Sequence, residues 1–250
     1  MHPRNRSVAS RGMAGLMMQQ VVELAQRQFE TAEFRQLLGT QLTMARARFF
    51  AMHMAHYVRN RWDCWGHVQG AAPLPIKRLI WQHEQEELVN DPRVGMDHYA
   101  LTVKEAQVLN LSAQDIERGE LCPGAVAAFY AWTLLAKNRP WREAFASSAI
   151  LEIRNSGAVV AEGGISYRIR EKMVAELGLP REKLINQSAH VEADAEHGTM
   201  LEQTVPEFVR TPEDEAAVLR GARESLIIDR AFRGALAAGM QLIQDQQEKL

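Results

Sequence analysis

Proline and glycine punctuate this chain at wide intervals, and the stretches between them repeat their apolar residues with the spacing of a helix rather than of a strand. Over residues 13–38, Leu16, Met17, Val21, Leu24, Phe34, Leu37 and Leu38 recur in that way. A second helix is expected over 40–68, broken by GAAPLP, and a third over 75–89, opened by Pro75 in its first turn. NDPRVG reads as a loop, 97–109 as a short helix, and LSAQDIERG as a further turn. Pro123 and Pro140 each open a largely buried helix. ISYRIREKMVAELG is amphipathic and closes on Gly178, the usual residue after a helix C-terminus. A helix over 183–204 follows. Thr211, Pro212, Glu213 and Asp214 then supply a cap, a first-turn proline and acids for the start of a last helix ending near residue 247. No run of alternating β-branched residues argues for a strand. The expectation is an all-α helical bundle: a flexible N-terminus over 1–12 and one domain over 13–250.

Composition narrows what such a bundle does. Hydrophobic residues are 46% and charged residues 24%, ordinary for a globular protein with a large core. A formal charge of -2 offers no bulk attraction to nucleic acid or to an anionic membrane. No apolar segment is long enough for a signal peptide or a membrane span. Cys64 and Cys122 are too few for a disulfide scaffold. These features lead us to expect a cytoplasmic protein without a nucleic-acid or membrane partner.

The chemistry concentrates in AHVEADAEHGT, residues 189–199. On a helix, His190, Asp194 and His197 fall within roughly 40° of one line, and Leu201 extends it, while Glu192 and Glu196 face away. Polar groups on an inward stripe need a partner. Neutral imidazoles and a carboxylate without thiolates suit iron, zinc or manganese. A site inside a bundle also needs ligands from other helices. HEQEELVNDPRVGMDHYALT offers Glu84, Glu87 and His98, and ASSAILEIRNSGAVVAEGG offers Glu152 inside an apolar helix and Glu162 in a glycine-flanked segment.

PIKRLIWQHEQEELVNDPRVGMDHYALT, WREAFASSAILE and HVEADAEHG, in that order, resemble landmarks of the haem-oxygenase-like bundle superfamily, in the branch that includes the pyrroloquinoline quinone synthases and the thiaminases. The resemblance spans residues 75–200. The full HxxxDxxH is similar to the haem-oxygenase-like diiron oxidases and oxygenases. That branch implies six metal ligands, which fall here on Glu87, His98, Glu152, His190, Asp194 and His197. The spacing keeps Glu84 and Asp91 open for the first position and Glu162 for the third. The resemblance implies two Fe(II) per chain, or an iron–manganese pair, with O2 as co-substrate, an external reductant and a homodimer. The implied substrate is a small carboxylate, amino-acid-derived or otherwise, in a biosynthetic pathway, and Arg168 is a candidate to bind it.

Three other readings predict different behaviour. In a cofactorless oxidase, His190 and Asp194 would line an organic pocket and iron would not matter. A catalytically silent bundle would bind a small ligand without consuming oxygen. A thiaminase-like hydrolase would depend on Cys64 or Cys122, although neither has an acidic or histidine partner nearby in sequence. Arg59 and Arg61, near Trp62 and Trp65, are a further place for a substrate carboxylate.

Overall fold

Twelve α-helices, α1 to α12, build the protein in a computed structural model that describes the backbone of residues 3–243 and the side chains of 15–193 and 197–243. They run α1 Pro3–Arg27, α2 Ala32–Gly39, α3 Met44–Ala71, α4 Leu74–Glu84, α5 His98–Ala106, α6 Ala113–Arg118, α7 Pro123–Asn138, α8 Trp141–Asn155, α9 Ile165–Leu177, α10 Ile185–His197, α11 Met200–Phe208 and α12 Pro212–Leu242. Among the described residues the one β pairing is an isolated bridge between Asp91 and Met96. No helix there is long and apolar enough to cross a membrane.

The capping chemistry behaves as its residues require. Thr43, Asp97, Ser112 and Thr211 each accept a hydrogen bond from a first-turn amide, and the last two complete capping boxes with Asp115 and Asp214. Gly178 ends α9 in the left-handed region, φ 65°. Two expected helices are divided. The stretch over 13–38 breaks after Arg27 into a short 3-10 turn and extended Thr31, with helix already present from Pro3. The stretch over 183–204 breaks at Gly198 and Thr199, so Leu201 continues no stripe of α10 and belongs to α11. The expected end of the last helix near 247 lies outside the described residues.

The bundle is organised around α8, which packs against α12, α7, α1, α3 and α10. Residues 143–151 are all buried, polar Ser147 and Ser148 included. Small side chains let neighbours approach closely, and a Cβ on Gly221 of α12 would lie 2.1 Å from the Glu143 carbonyl oxygen. Lower down, Arg154 of α8 and Arg233 of α12 share Asp229, at 3.1 Å and 3.0 Å, with all three residues fully buried. One face of α8 thus fixes α12 while another presents Glu152 towards α3, α4 and α10.

Candidate metal centre

Two groups of metal-competent side chains meet inside the bundle. Glu87, His98 and His190 form one, and His83, Glu152 and His197 the other; within each, the donor atoms lie within 4.8 Å of one another. Bonds of about 2.1 Å to a first-row divalent ion put donors roughly 3–4 Å apart, so either group closes on an ion with shifts of some tenths of an ångström. Of the residues expected from sequence, five are brought together here. Asp194 lies on α10 between His190 and His197, but its side chain is outside the described residues.

His83 was not anticipated, and the reason is local. Helix α4 ends at Glu84 and continues as a π-helical turn, Gln85–Val89, closed by the Asn90 amide on the Gln85 carbonyl at 2.8 Å. Such turns cluster at functional sites, and nothing in HEQEE announces one. A weaker signal was present: His83 and Glu87 are four residues apart, a same-face pair on a helix.

The imidazoles share one arrangement. His83 Nδ1 meets Glu84 Oε1 at 3.0 Å, His98 Nε2 meets Asp91 Oδ2 at 3.0 Å, and His197 Nε2 meets Glu86 Oε2 at 3.2 Å. The second nitrogen of each ring, His83 Nε2, His98 Nδ1 and His197 Nδ1, is buried with no hydrogen-bond partner among the described residues. Histidine ligands of metals are commonly held in this way, with a carboxylate on the far nitrogen. Glu84 and Asp91, open as ligands from sequence, therefore sit behind histidines. Glu162 is remote: it lies in the left-handed region at φ 65°, exposed, and pairs with Arg168.

Glu87 lies between the two groups. Its Oε2 is 2.8 Å from His98 Nδ1 and its Oε1 3.3 Å from His197 Nδ1, both off the angle of a hydrogen bond. Close nitrogen–oxygen approaches without hydrogen-bond alignment are what donors aimed at a common ion produce. Arg93, from NDPRVG, links the supporting carboxylates, with Nε 2.9 Å from Asp91 Oδ1 and Nη2 on Glu86.

The electrostatics fit an interior that holds charge in pairs. Burial opposes ionisation of Glu87, yet His98 and His197 hold its carboxyl well below the usual range. Burial works against His98 too, but Glu87 and Asp91 raise it to about 9. His197 is likewise raised, against its burial, by Glu86 and Glu87. Burial keeps His83 down to about 4 and His190 to about 3, so both are neutral and have a lone pair to give. Burial lifts Glu84 to about 8. The mixed imidazole and carboxylate set, with orphaned ring nitrogens, fits iron, manganese or zinc.

Other candidates are occupied elsewhere. Arg168 donates to the Gly163 and Ala161 carbonyls and stacks on Phe29, so it braces the 161–163 loop and lines neither cavity at the centre. Arg59 pairs with Glu117 at 2.9 Å. Cys64 is fully buried, and burial pushes its thiol up, which opposes a thiolate nucleophile. His53 accepts from the Cys122 amide at 2.9 Å and is a packed structural histidine.

These helices define the haem-oxygenase-like class of bundle. A domain of unknown function with a heme oxygenase-like fold from Shewanella denitrificans OS217 superimposes with a TM-score of 0.73 at 15% identity, covering 92% of this chain and 94% of that one. A CADD-like protein of unknown function from Nostoc punctiforme PCC 73102 gives 0.70 at 15% identity, over 91% of this chain and 98% of that one. No curated protein matches. The chain belongs to a family of iron-containing redox enzymes, whose profile covers residues 48–230.

Proposed function

We propose that this protein is a non-haem diiron enzyme that uses dioxygen to oxidise or oxygenate a small organic substrate bearing a carboxylate. The observation that carries the reading is the set of three buried imidazole nitrogens without a hydrogen bond among the described residues, on rings whose other nitrogen is held by a carboxylate. Glu87, His98 and His190 would hold one ion, and His83, Glu152 and His197 the other; Asp194, between His190 and His197 in the sequence of α10 and with its side chain outside the described residues, remains the sixth ligand that the resemblance implies. An iron–manganese pair would satisfy the same donors. Bound ferrous iron would supply electrons to dioxygen.

The chain's own residues supply the rest. Glu87 faces a histidine of each group, and its carboxylate would offset the charge of bound metal. Glu84, Glu86 and Asp91 keep the rings oriented, each from the nitrogen that would face away from the metal. Tyr57, Trp62 and Trp65 wall the adjoining cavity, of about 30 Å³, and keep bulk water from the centre. An enclosed, low-dielectric site strengthens every charge interaction within it.

Oxygen uptake tests the reading. Protein loaded with Fe(II) without air should consume oxygen on mixing, with a visible absorption that free Fe(II) does not give. Glu152→Ala, which removes the sole carboxylate of the second group, should reduce both by at least tenfold. Uptake no faster than that of free Fe(II) would contradict the proposal and favour the cofactorless or silent alternatives.

A further inference from the structure

A second cavity, of about 50 Å³, adjoins the one beside the metal-competent groups; Tyr57, Val58, Asn155 and His190 line both. Its walls include Thr102, Ser166, Asn186, Gln187 and Arg233 and, among the described residues, no Asp or Glu. Arg233 is fully buried. Its Nε donates to Asp229 at 3.0 Å and its Nη1 to the Met54 sulfur at 3.2 Å, but Nη2 has no hydrogen-bond partner among the described residues. Asp229 also serves Arg154, so this carboxylate is shared between two guanidinium groups.

A buried N–H without an acceptor is costly, and more so on a cation. Protein interiors rarely keep such a group without an occupant to satisfy it. The neighbouring amides do not serve: Asn186 Oδ1 accepts from Thr102 at 3.0 Å, and Gln187 Nε2 donates to Glu105 at 3.4 Å.

We propose that Arg233 seats the carboxylate of the substrate in this second cavity, so that the substrate's carbon chain runs past His190 towards the metal-competent groups. The proposal rests on the reading of the centre as an oxidising site and names the subsite that would orient its substrate. The Nη2 N–H supplies a charge-assisted hydrogen bond, and the positive charge of the guanidinium favours an anion over its neutral isostere. The volume suits a carboxylate on a short carbon chain. Arg61, also buried, lines the first cavity and donates to Ser148 at 2.7 Å; it stands beside the metal-competent groups rather than at the far end of the substrate.

Calorimetry of the folded, metal-free protein with acetate, butanoate and hexanoate tests this, with butanamide and inorganic phosphate as comparators, and anaerobic Fe(II)-loaded protein as a second series. Metal-free protein should bind butanoate at least tenfold tighter than butanamide or phosphate. Arg233→Lys keeps the charge beside Asp229 but loses the forked donors, and should weaken butanoate at least tenfold, whereas Arg61→Lys should change it less than twofold. If Arg233→Lys does not fold, Ser166→Leu, which fills the same cavity without touching a charge, should abolish binding. The absence of carboxylate binding, equal affinity for butanamide, tighter phosphate binding, indifference to Arg233→Lys or Ser166→Leu, or a larger loss in Arg61→Lys would each overturn the assignment. Because the metal-free series needs no iron, its failure is distinct from failure of the diiron reading.

Discussion

A histidine can hold an ion only if its ring cannot turn away, and here the turning is prevented by residues that would not themselves touch metal. Arg93 is the extreme case: it contacts Asp91 and Glu86, each of which holds one histidine of a different group. Arg93→Ala should therefore weaken metal binding at both groups, by about 10–100-fold, while the protein retains its helical circular dichroism. Equilibrium titrations against a metal buffer would measure this; unchanged affinity would show that the loop is only a connection. The sequence made Glu87, His98, Glu152 and His190 legible because each is a polar residue on an apolar helix face. Arg93 and His83 were illegible, since one sits in a turn and the other beside a π-helical turn whose form is set by packing. Arg168 illustrates the reverse: its charge was visible, but its partners, the carbonyls of residues 161 and 163, were not.

Helices α5 and α10 carry His98 and His190, whose rings lie 4.5 Å apart, and their relative position depends on Glu105. That side chain, buried on α5, accepts from the amides of Asn186 and Gln187 at 2.7 Å and 3.1 Å, closing the exposed N–H groups of the first turn of α10. Burial raises Glu105 from 4.5 to about 7, and the amides only partly offset it. A carboxyl raised on folding keeps its proton in the folded state after the unfolded chain has lost it, so its contribution to stability falls as pH rises from about 4.5 to 7. Glu105→Gln should remove that slope. Between pH 5 and pH 8, metal-free wild type should lose about 3 kcal/mol more stability than the variant, read by chemical denaturation. Parallel pH profiles would show that Glu105 is already ionised in the fold. The Thr211 cap was readable because it acts within a few residues. The Glu105 contact joins residues 105 and 186, beyond any local pattern.

At the scale of the molecule, the all-α bundle was evident from periodicity, and the order of its landmarks resembled the superfamily to which the fold conforms. The boundaries that failed were breaks inside polar stretches, at residues 28–31 and 198–199, where helix and turn differ little in local preference and tertiary packing decides. The architecture places α3, α4, α5, α8 and α10 around one interior, where Glu87, Asp91, His98 and His197 are buried against one another or against Glu86. Under the function proposed above, that interior would hold two ions and not one, because its donors fall into two groups, with Glu87 of the first facing His197 of the second.

An anaerobic Fe(II) titration of metal-free protein, carried to large excess and read by metal analysis, tests this claim most directly, with His190→Ala and His83→Ala measured alongside. Two irons should bind per wild-type chain, and each variant should retain about one, since each loses a donor from a different group. No specific iron in the wild type, or a single iron that neither substitution disturbs, would contradict the account.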